Sequence, residues 1–507
     1  MSSSDATMSS PLFVPSSLQF YVNRLSFSKN RVRLQALSTE VASAGSQIIV
    51  RLPSNTMVNL ASLTMTGGVR ATITPDGDQT NVPTSNDGVA LPTNYDFSFI
   101  ETLSLIANGG IITQPFVNYK LLGNTLNDVY GCDTKNAARS ALQGSIPAPL
   151  RATQGGYQPF SINNWISATQ TMAPSYLSTN LLGDLELRLT MTDNSILASG
   201  SLADGAGMTG LQAKCKWDMT NINFYIETAS IESNMLDQAI AAKLAGGEPI
   251  NVPFENVFSF SQTNAGSGFN QRFSVSSQSV NKILAITQLN SDLTGNHTFK
   301  NGIPEVLRRN SNSAAFSQFS VNNQYSPNYQ IDSNITQGTD LSALALGAAV
   351  NYQASNVLVE TRAAMDIPDY DYECGDKLCS TTQLPFEFLG GGVIRNVGAV
   401  SGAIQNPSIS VVSATGVRNT SSWWKQYEYI SPLQTFLQDK YLLATSFDLD
   451  VSDKDRLVSG INTLGSNAQM FLNVVGTAPG APSTSTVFVL CTSMVQIYQG
   501  ATLQIIQ

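Results

Sequence analysis

Charge is scarce in this chain. Asp, Glu, Lys and Arg together make up 12% of the 507 residues, about half the usual share. Histidine occurs once, as His297, so a Ser-His-Asp triad, a Cys-His pair or a two-histidine metal site would all have to run through it. It sits in the polar stretch DLTGNHTFKNG, where a surface histidine is the plain reading. Phosphate-binding glycine loops are missing too. Gly390 to Gly392 is followed by Val393-Ile394 with no P-loop lysine, and it reads as a place for a tight turn or a close backbone approach. The five cysteines, Cys132, Cys215, Cys374, Cys379 and Cys491, are odd in number and lack zinc spacing. No enzyme, metal or cofactor is expected.

Nor is there a window of about 18 uninterrupted apolar residues, as a membrane span needs. The opening MSSSDATMSSP lacks the charged start and apolar run of a secretory signal. A soluble product of a reducing compartment is expected, with free thiols even at the close pair Cys374 and Cys379. The acceptor patterns at Asn296, Asn334 and Asn419 are accordingly read as chance. A net charge of −9 would repel a polyphosphate, which argues against direct nucleic-acid binding.

Ser, Thr, Asn and Gln fill the polar positions instead, giving a weakly hydrated surface of the kind neighbours cover. β-branched residues, 37 glycines and 21 prolines point to strands joined by loops. The length suggests two or three domains. An internal echo divides it. Phe99 to Asp128 reads FIETLSLIANGGIITQPFVNYKLLGNTLND, and Phe316 to Val350 reads FSQFSVNNQYSPNYQIDSNITQGTDLSALALGAAV. Each copy opens on a half-buried strand, Leu103 and Leu105 alternating with Thr102 and Ser104, and Phe319 and Val321 with Gln318 and Ser320. Asn108-Gly109 and Asn322-Asn323 then supply hairpin turns. Each closes on helical spacing: Val117, Leu121, Leu122 and Leu126, then Leu341, Leu344, Ala345 and Ala348. The two copies stand a whole domain apart, so the chain reads as two related β-domains in tandem.

Residues 1–20 are Ser- and Pro-rich and predict an extended arm. Ile48 to Arg51 and Val58 to Thr66 predict strands, and Gly67 to Asn94 a long surface loop. Leu185, Leu187 and Leu189 predict a strand exposed on one face, and Lys214 to Thr228 another. Glu232 to Leu244 predicts a helix packed between the domains, capped by Ser230 or Ser233 and stopped by Gly246-Gly247. A second strand-rich half starts near Pro249 with VPFENVFSFSQ and closes from Tyr441 to Gln507, while residues 360–425 hold long loops.

From Phe447 the chain reads FDLDVSDKDRLVSGINTLGSNAQMFLNVVG, and then STVFVLCTSMVQIYQGATLQII. This resembles the closing strands of double jelly-roll major capsid proteins, particularly those of virophages and polinton-like viruses. In that group an acidic strand leads into a Ser-Gly-Ile/Thr-Asn turn and a last β-run ends in an apolar tail. The two echo segments also look like that group's paired strand and turn. The resemblance implies an all-β fold of two tandem jelly rolls, each an eight-stranded antiparallel β-sandwich, with short helices in connecting loops. Its expected bounds are an arm at 1–20, barrels at 21–230 and 249–507, and a connecting helix at 231–248. It implies a major capsid protein whose homotrimers form pseudo-hexameric capsomers of an icosahedral double-stranded DNA virus shell. Penton and minor capsid proteins would be partners in the virion, and contact with an internal membrane is allowed. A glycan-binding or adhesive β-sandwich spike or fibre protein is the alternative. A β-helical hydrolase lacks its short-period repeat.

Four residue groups invite a functional reading. Arg24, Lys29, Arg31 and Arg33 suit either an arm touching an internal membrane or an acidic partner, or a strand whose basic residues face water beside Val32 and Leu34, and the strand is preferred. Asp448, Asp450, Asp453 and Asp455 lack EF-hand spacing and read as solvated charge. Asp366, Asp369, Asp371, Glu373 and Asp376, interleaved with Tyr370 and Tyr372, repel one another unless a cation intervenes, and an exposed loop without metal is preferred. Trp423-Trp424 suits an inter-subunit anchor and a buried barrel corner equally.

Overall fold

The computed structural model describes residues 27–73, 87–90, 97–130, 150–151, 157–201, 215–321, 364–365, 393–396, 427–430, 440–447, 460–464, 470–476 and 480–507, apart from short gaps at 39, 114–115, 164, 168–175, 232–234, 267, 295–298, 301–302, 313 and 501. The first half carries β1 (Phe27–Gln35), β2 (Ala42–Ser43), β3 (Gln47–Arg51), β4 (Met57–Ile73), β5 (Asp87–Ala90), β6 (Ile100–Ala107), β7 (Gly110–Ile111), β8 (Phe116–Val117), β9 (Leu150–Arg151), β10 (Gln158–Ile162), β11 (Tyr176–Ser178), β12 (Leu185–Met191), β13 (Ala198–Ser201) and β14 (Cys215–Ile231). The second carries β15 (Ile250–Asn264), β16 (Phe269–Phe273), β17 (Val280–Leu289), β18 (Phe299–Lys300), β19 (Ile303–Pro304), β20 (Ala314–Val321), β21 (Val393–Asn396), β22 (Tyr427–Ile430), β23 (Leu443–Ser446), β24 (Met470–Gly476), β25 (Ser483–Tyr498) and β26 (Thr502–Ile506). Short helices cover Tyr119–Tyr130, Thr179–Leu182, Met235–Ala245 and Asn290–Thr294.

The two halves repeat one pairing scheme. One sheet of the first half runs β1-β14-β4-β10, and its counterpart in the second runs β15-β25-β17-β23. The facing sheets run β3-β12-β6 and β16-β24-β20. In both halves the chain alternates between sheets as it is read, and the last long strand inserts beside the first. That is the winding of an antiparallel jelly roll.

Sequence alternation accounts for the sandwich. Leu185, Leu187, Leu189 and Met191 of β12 are buried while Glu186, Arg188 and Thr190 between them are half-buried. They meet Val58, Leu60, Met65, Phe224 and Ile226 from the opposite sheet in a common core. Trp217 stands edge-on to Phe99 at 4.8 Å, and its indole N–H donates to the Asp193 carbonyl at 3.1 Å. In the second half most of β17 and the Ser485–Cys491 stretch of β25 are buried on both faces. This explains why their sequences, KILAIT and VFVLC, run apolar without alternating.

The first echo behaves as expected at its strand and turn. Leu103 and Leu105 are buried, and Asn108 and Gly109 both take positive φ, 48° and 77°, as the tight connection from β6 to β7 requires. Its helix starts later than predicted. Val117 lies in β8, 44% exposed, and only Leu121, Leu122 and the half-buried Leu126 turn toward the core. The second echo's strand is present as β20. Its Asn322-Asn323 turn and the helix expected at Leu341 to Ala348 fall outside the described residues.

Two other expectations are corrected. Gly67 to Asn94 is not one loop, because β4 continues to Ile73 and β5 lies within the span. Glycine at 67 permits this, since a Cβ there would sit 2.9 Å from both the Phe160 ring and the Thr220 carbonyl. The inter-domain helix starts at Met235, and Ser230 belongs to β14 opposite Ser28 rather than to a cap. Its described final turns are exposed or half-buried, not packed. It ends as expected, with the Gly246 and Gly247 N–H groups bonded to the Ala242 and Leu244 carbonyls.

Candidate assembly site: the seam between the halves and its edge strands

β15 is the outermost strand of its sheet, and the first half covers its free edge. Thr492, opposite Glu255, gives its N–H to Ser279 on the β17 side. Glu255 therefore turns its own main-chain groups away from β25. Its carbonyl accepts from the Ser167 hydroxyl of the first half at 3.0 Å. Further along, Asn118 donates to the Ser261 hydroxyl at 3.3 Å.

Ser167 is held by its neighbours. The Trp165 indole donates to the Leu63 carbonyl at 2.8 Å, and the Ile166 N–H donates to the Tyr119 hydroxyl at 3.0 Å. Three consecutive residues thus tie β4, the first-half helix and β15 together. Ser167 holds φ at 70°, a left-handed conformation unusual for serine, and it is 3% exposed. Strain of this kind persists only where surrounding contacts over-determine the backbone.

A second tie comes from the segment Glu305–Asn312. Gln288 donates to the Val306 carbonyl at 2.7 Å, and Arg308 forms a buried ion pair with Asp292 at 3.1 Å. Arg309 donates to Thr125 of the first-half helix at 3.0 Å. The apolar core is continuous across both halves. A buried charge–hydroxyl contact and a shared core fix the halves as one body, because separating them would expose both.

The corresponding edge of the first half is β1, and its surroundings differ. Lys29, Arg31 and Arg33 are exposed and alternate with half-buried Val32 and Leu34, as the strand reading of the basic cluster predicts. Their charges fold back over their own sheet. Lys29 pairs with Glu227 at 2.8 Å, Arg33 donates to Asn223 at 2.8 Å, and Arg31 stacks 5.4 Å from the Tyr225 ring centre. The hydrogen bond between Lys29 and Glu227 lifts the ammonium and depresses the carboxyl. On the same face Asp218 accepts from Arg70 at 2.9 Å and from the Tyr157 hydroxyl, which raises both donors.

No family model and no curated protein sequence matches the chain. Solved structures do. The PBCV-1 protein VP54, fitted into a reconstruction of the virophage Sputnik, aligns over 95% of this chain and 97% of its own, with TM-score 0.52 and 8% identity. A chain of the Sputnik virophage aligns over 95% and 88%, with TM-score 0.51 and 10% identity. One from the PBCV-1 capsid aligns over 94% and 97%, with TM-score 0.50 and 8% identity. The chain is a double jelly roll.

Within this double jelly roll, Cys215 and Cys491 are both buried. Arg24, the arm at 1–20, His297, Cys132, Cys374 and Cys379 lie outside the described residues, as do Trp423-Trp424, Gly390 to Gly392 and the three Asn acceptor positions. The same holds for the Asp366 to Asp376 and Asp448 to Asp455 clusters. Among the described residues, no three His, Cys, Asp or Glu side chains group as a metal site would require, and no helix is long and apolar enough to cross a membrane. The seam residues Ser167, Glu255, Thr125 and Arg309 were not singled out from the sequence. Two signals stood there: the lone Trp165 in SINNWIS, and the adjacent pair Arg308-Arg309.

Proposed function

We propose that this double jelly roll is a major capsid protein, and that three copies close into a pseudo-hexameric capsomer tiling an icosahedral double-stranded DNA virus shell. One observation carries the reading: the same barrel occurs twice in one rigid chain, in the arrangement seen along nearly the whole length of chains from the PBCV-1 capsid and the Sputnik virophage. Two like barrels presented by each of three chains give six similar sides, which is what packing into flat facets needs. A threefold ring closes through heterologous interfaces, one face of each chain meeting a different face of the next. A surface with 12% charged residues can be buried without desolvating many ions.

The protein acts by assembling, not by turnover, and its place is the virion after synthesis in the host cytoplasm. Described strands pair only within 27–231 and within 250–506, which supports barrels at 21–230 and 249–507 joined by a helix at 231–248; the arm proposed at 1–20 lies outside the described residues. The arm would lie on the inner side and tie the tile to neighbours, minor and penton proteins or a membrane.

Light scattering on the purified chain tests the trimer, and negative-stain imaging tests the tile. A particle of three chains with a hexagonal outline is expected. A stable monomer at assembly concentrations would sink the proposal.

A further inference from the structure

β1 and β15 occupy the same place in their two barrels, as the outer strand beside the last long strand, yet among the described residues only one is covered. Along β15 just Asn251, Ser261 and Thr263 are exposed. Along β1, Ser28, Lys29, Asn30, Arg31, Arg33 and Gln35 are all exposed.

Among the described residues, no strand pairs with the outer main chain of β1 either. Glu227, opposite Arg31, gives its N–H to the Ser62 hydroxyl on the β4 side, and the Ala229 carbonyl, opposite Lys29, accepts there from Thr56. In an antiparallel pair the partners of such residues direct their own N–H and C=O groups the other way. Lys29 and Arg31, and by alternation Arg33, therefore present a row of main-chain donors and acceptors to the outside.

A regular nine-residue edge is a template for pairing unless something blocks it. Charged side chains often do so. Here Lys29, Arg31 and Arg33 are drawn inward over Glu227, Tyr225 and Asn223, which leaves the strip clear.

We infer that the free edge of β1 is the docking strip for the second barrel of another copy of this chain, met in trans as the first barrel meets β15 in cis. The occupant follows from the pseudo-equivalence. Each chain covers its own β15 edge with a first barrel, so in a closed ring of alternating barrels only a neighbour's second barrel stands beside β1. The inference rests on the ring proposed above.

Proline at position 31 separates the two questions. It removes an N–H that the barrel does not use, and proline is tolerated at such edge positions. Arg31→Ala serves as the control, since it loses the same side chain and keeps the N–H. Native mass spectrometry of the full-length chain should find wild type and R31A as trimers and R31P shifted at least tenfold toward monomer. Hydrogen exchange on wild type supplies a readout free of folding artefacts: the Lys29, Arg31 and Arg33 amides should be protected in the trimer and exchange freely after dilution to monomer. R31P trimers as stable as wild type, or amides unprotected in the trimer, would overturn the docking strip and leave the ring standing. A wild-type chain that never associates, with those amides exchanging freely throughout, would overturn both.

Discussion

Arg309 reaches from the second barrel to Thr125 in the first, its guanidinium donating to the hydroxyl at 3.0 Å with the residues 1% and 0% exposed. The hydroxyl has two tasks, since it also donates to the Leu121 carbonyl one turn back at 2.7 Å. The contact therefore couples a helix of one barrel to the segment that crosses the other.

Arg309→Ala should destabilise the protein by about 3 kcal/mol, because a charge-assisted hydrogen bond is lost and a cavity opens at the seam. Calorimetry should show the single unfolding transition broadening or dividing as the barrels uncouple. Thr125→Ser keeps both bonds and should stay close to wild type, whereas Thr125→Val should cost about 1–2 kcal/mol. An Arg309→Ala protein melting like wild type would show that this contact does not help to join the barrels.

Gly460 makes a second, independent case. Its N–H donates to the Ser279 hydroxyl at 2.7 Å, and Ile461 beside it exchanges main-chain bonds with Val280. A Cβ at position 460 would stand 2.0 Å from the Val280 carbonyl oxygen. Backbone cannot yield as a side-chain tip can, so Gly460→Ala should cost about 3 kcal/mol. Gly109→Ala, with φ at 77° but nothing within 4 Å, should cost only about 1–2 kcal/mol. Urea denaturation ranks the two, and equal losses would contradict the close approach.

How far the sequence could be read depended on whether a signal was local. The Leu185 to Leu189 alternation and the Asn108-Gly109 turn each report on a few neighbouring residues, and both were readable. Gly67 was misread because glycine signals both a turn and a close approach, and only Phe160 and Thr220, distant in sequence, decide between them. Val117 matched the helical spacing of Leu121 and Leu122, but pairing with Thr102 holds it in β8. The pairings at the seam were not readable for the same reason. Ser167 meets Glu255 and Arg309 meets Thr125 only after both barrels are built, and a serine hydroxyl on a carbonyl leaves no periodic trace.

The last prediction concerns pH. Cys491 is fully buried in β25, and burial pushes its thiol up to about 12. In the unfolded chain the same thiol ionises near pH 8.5. Folding therefore holds a proton that the unfolded state releases, and the contribution is whole below about pH 8.5 and declines as pH rises toward 12. The slope should reach about 1.4 kcal/mol per pH unit. Tyr157, raised by its bond to Asp218, leans the same way, so the informative quantity is a difference between proteins. Cys491→Ala should lower stability at pH 7 through lost packing, yet lose less than wild type between pH 9 and 11 in parallel urea titrations. Parallel curves for the two proteins would mean that the thiol ionises in place, and that water reaches β25 where the packing says it should not.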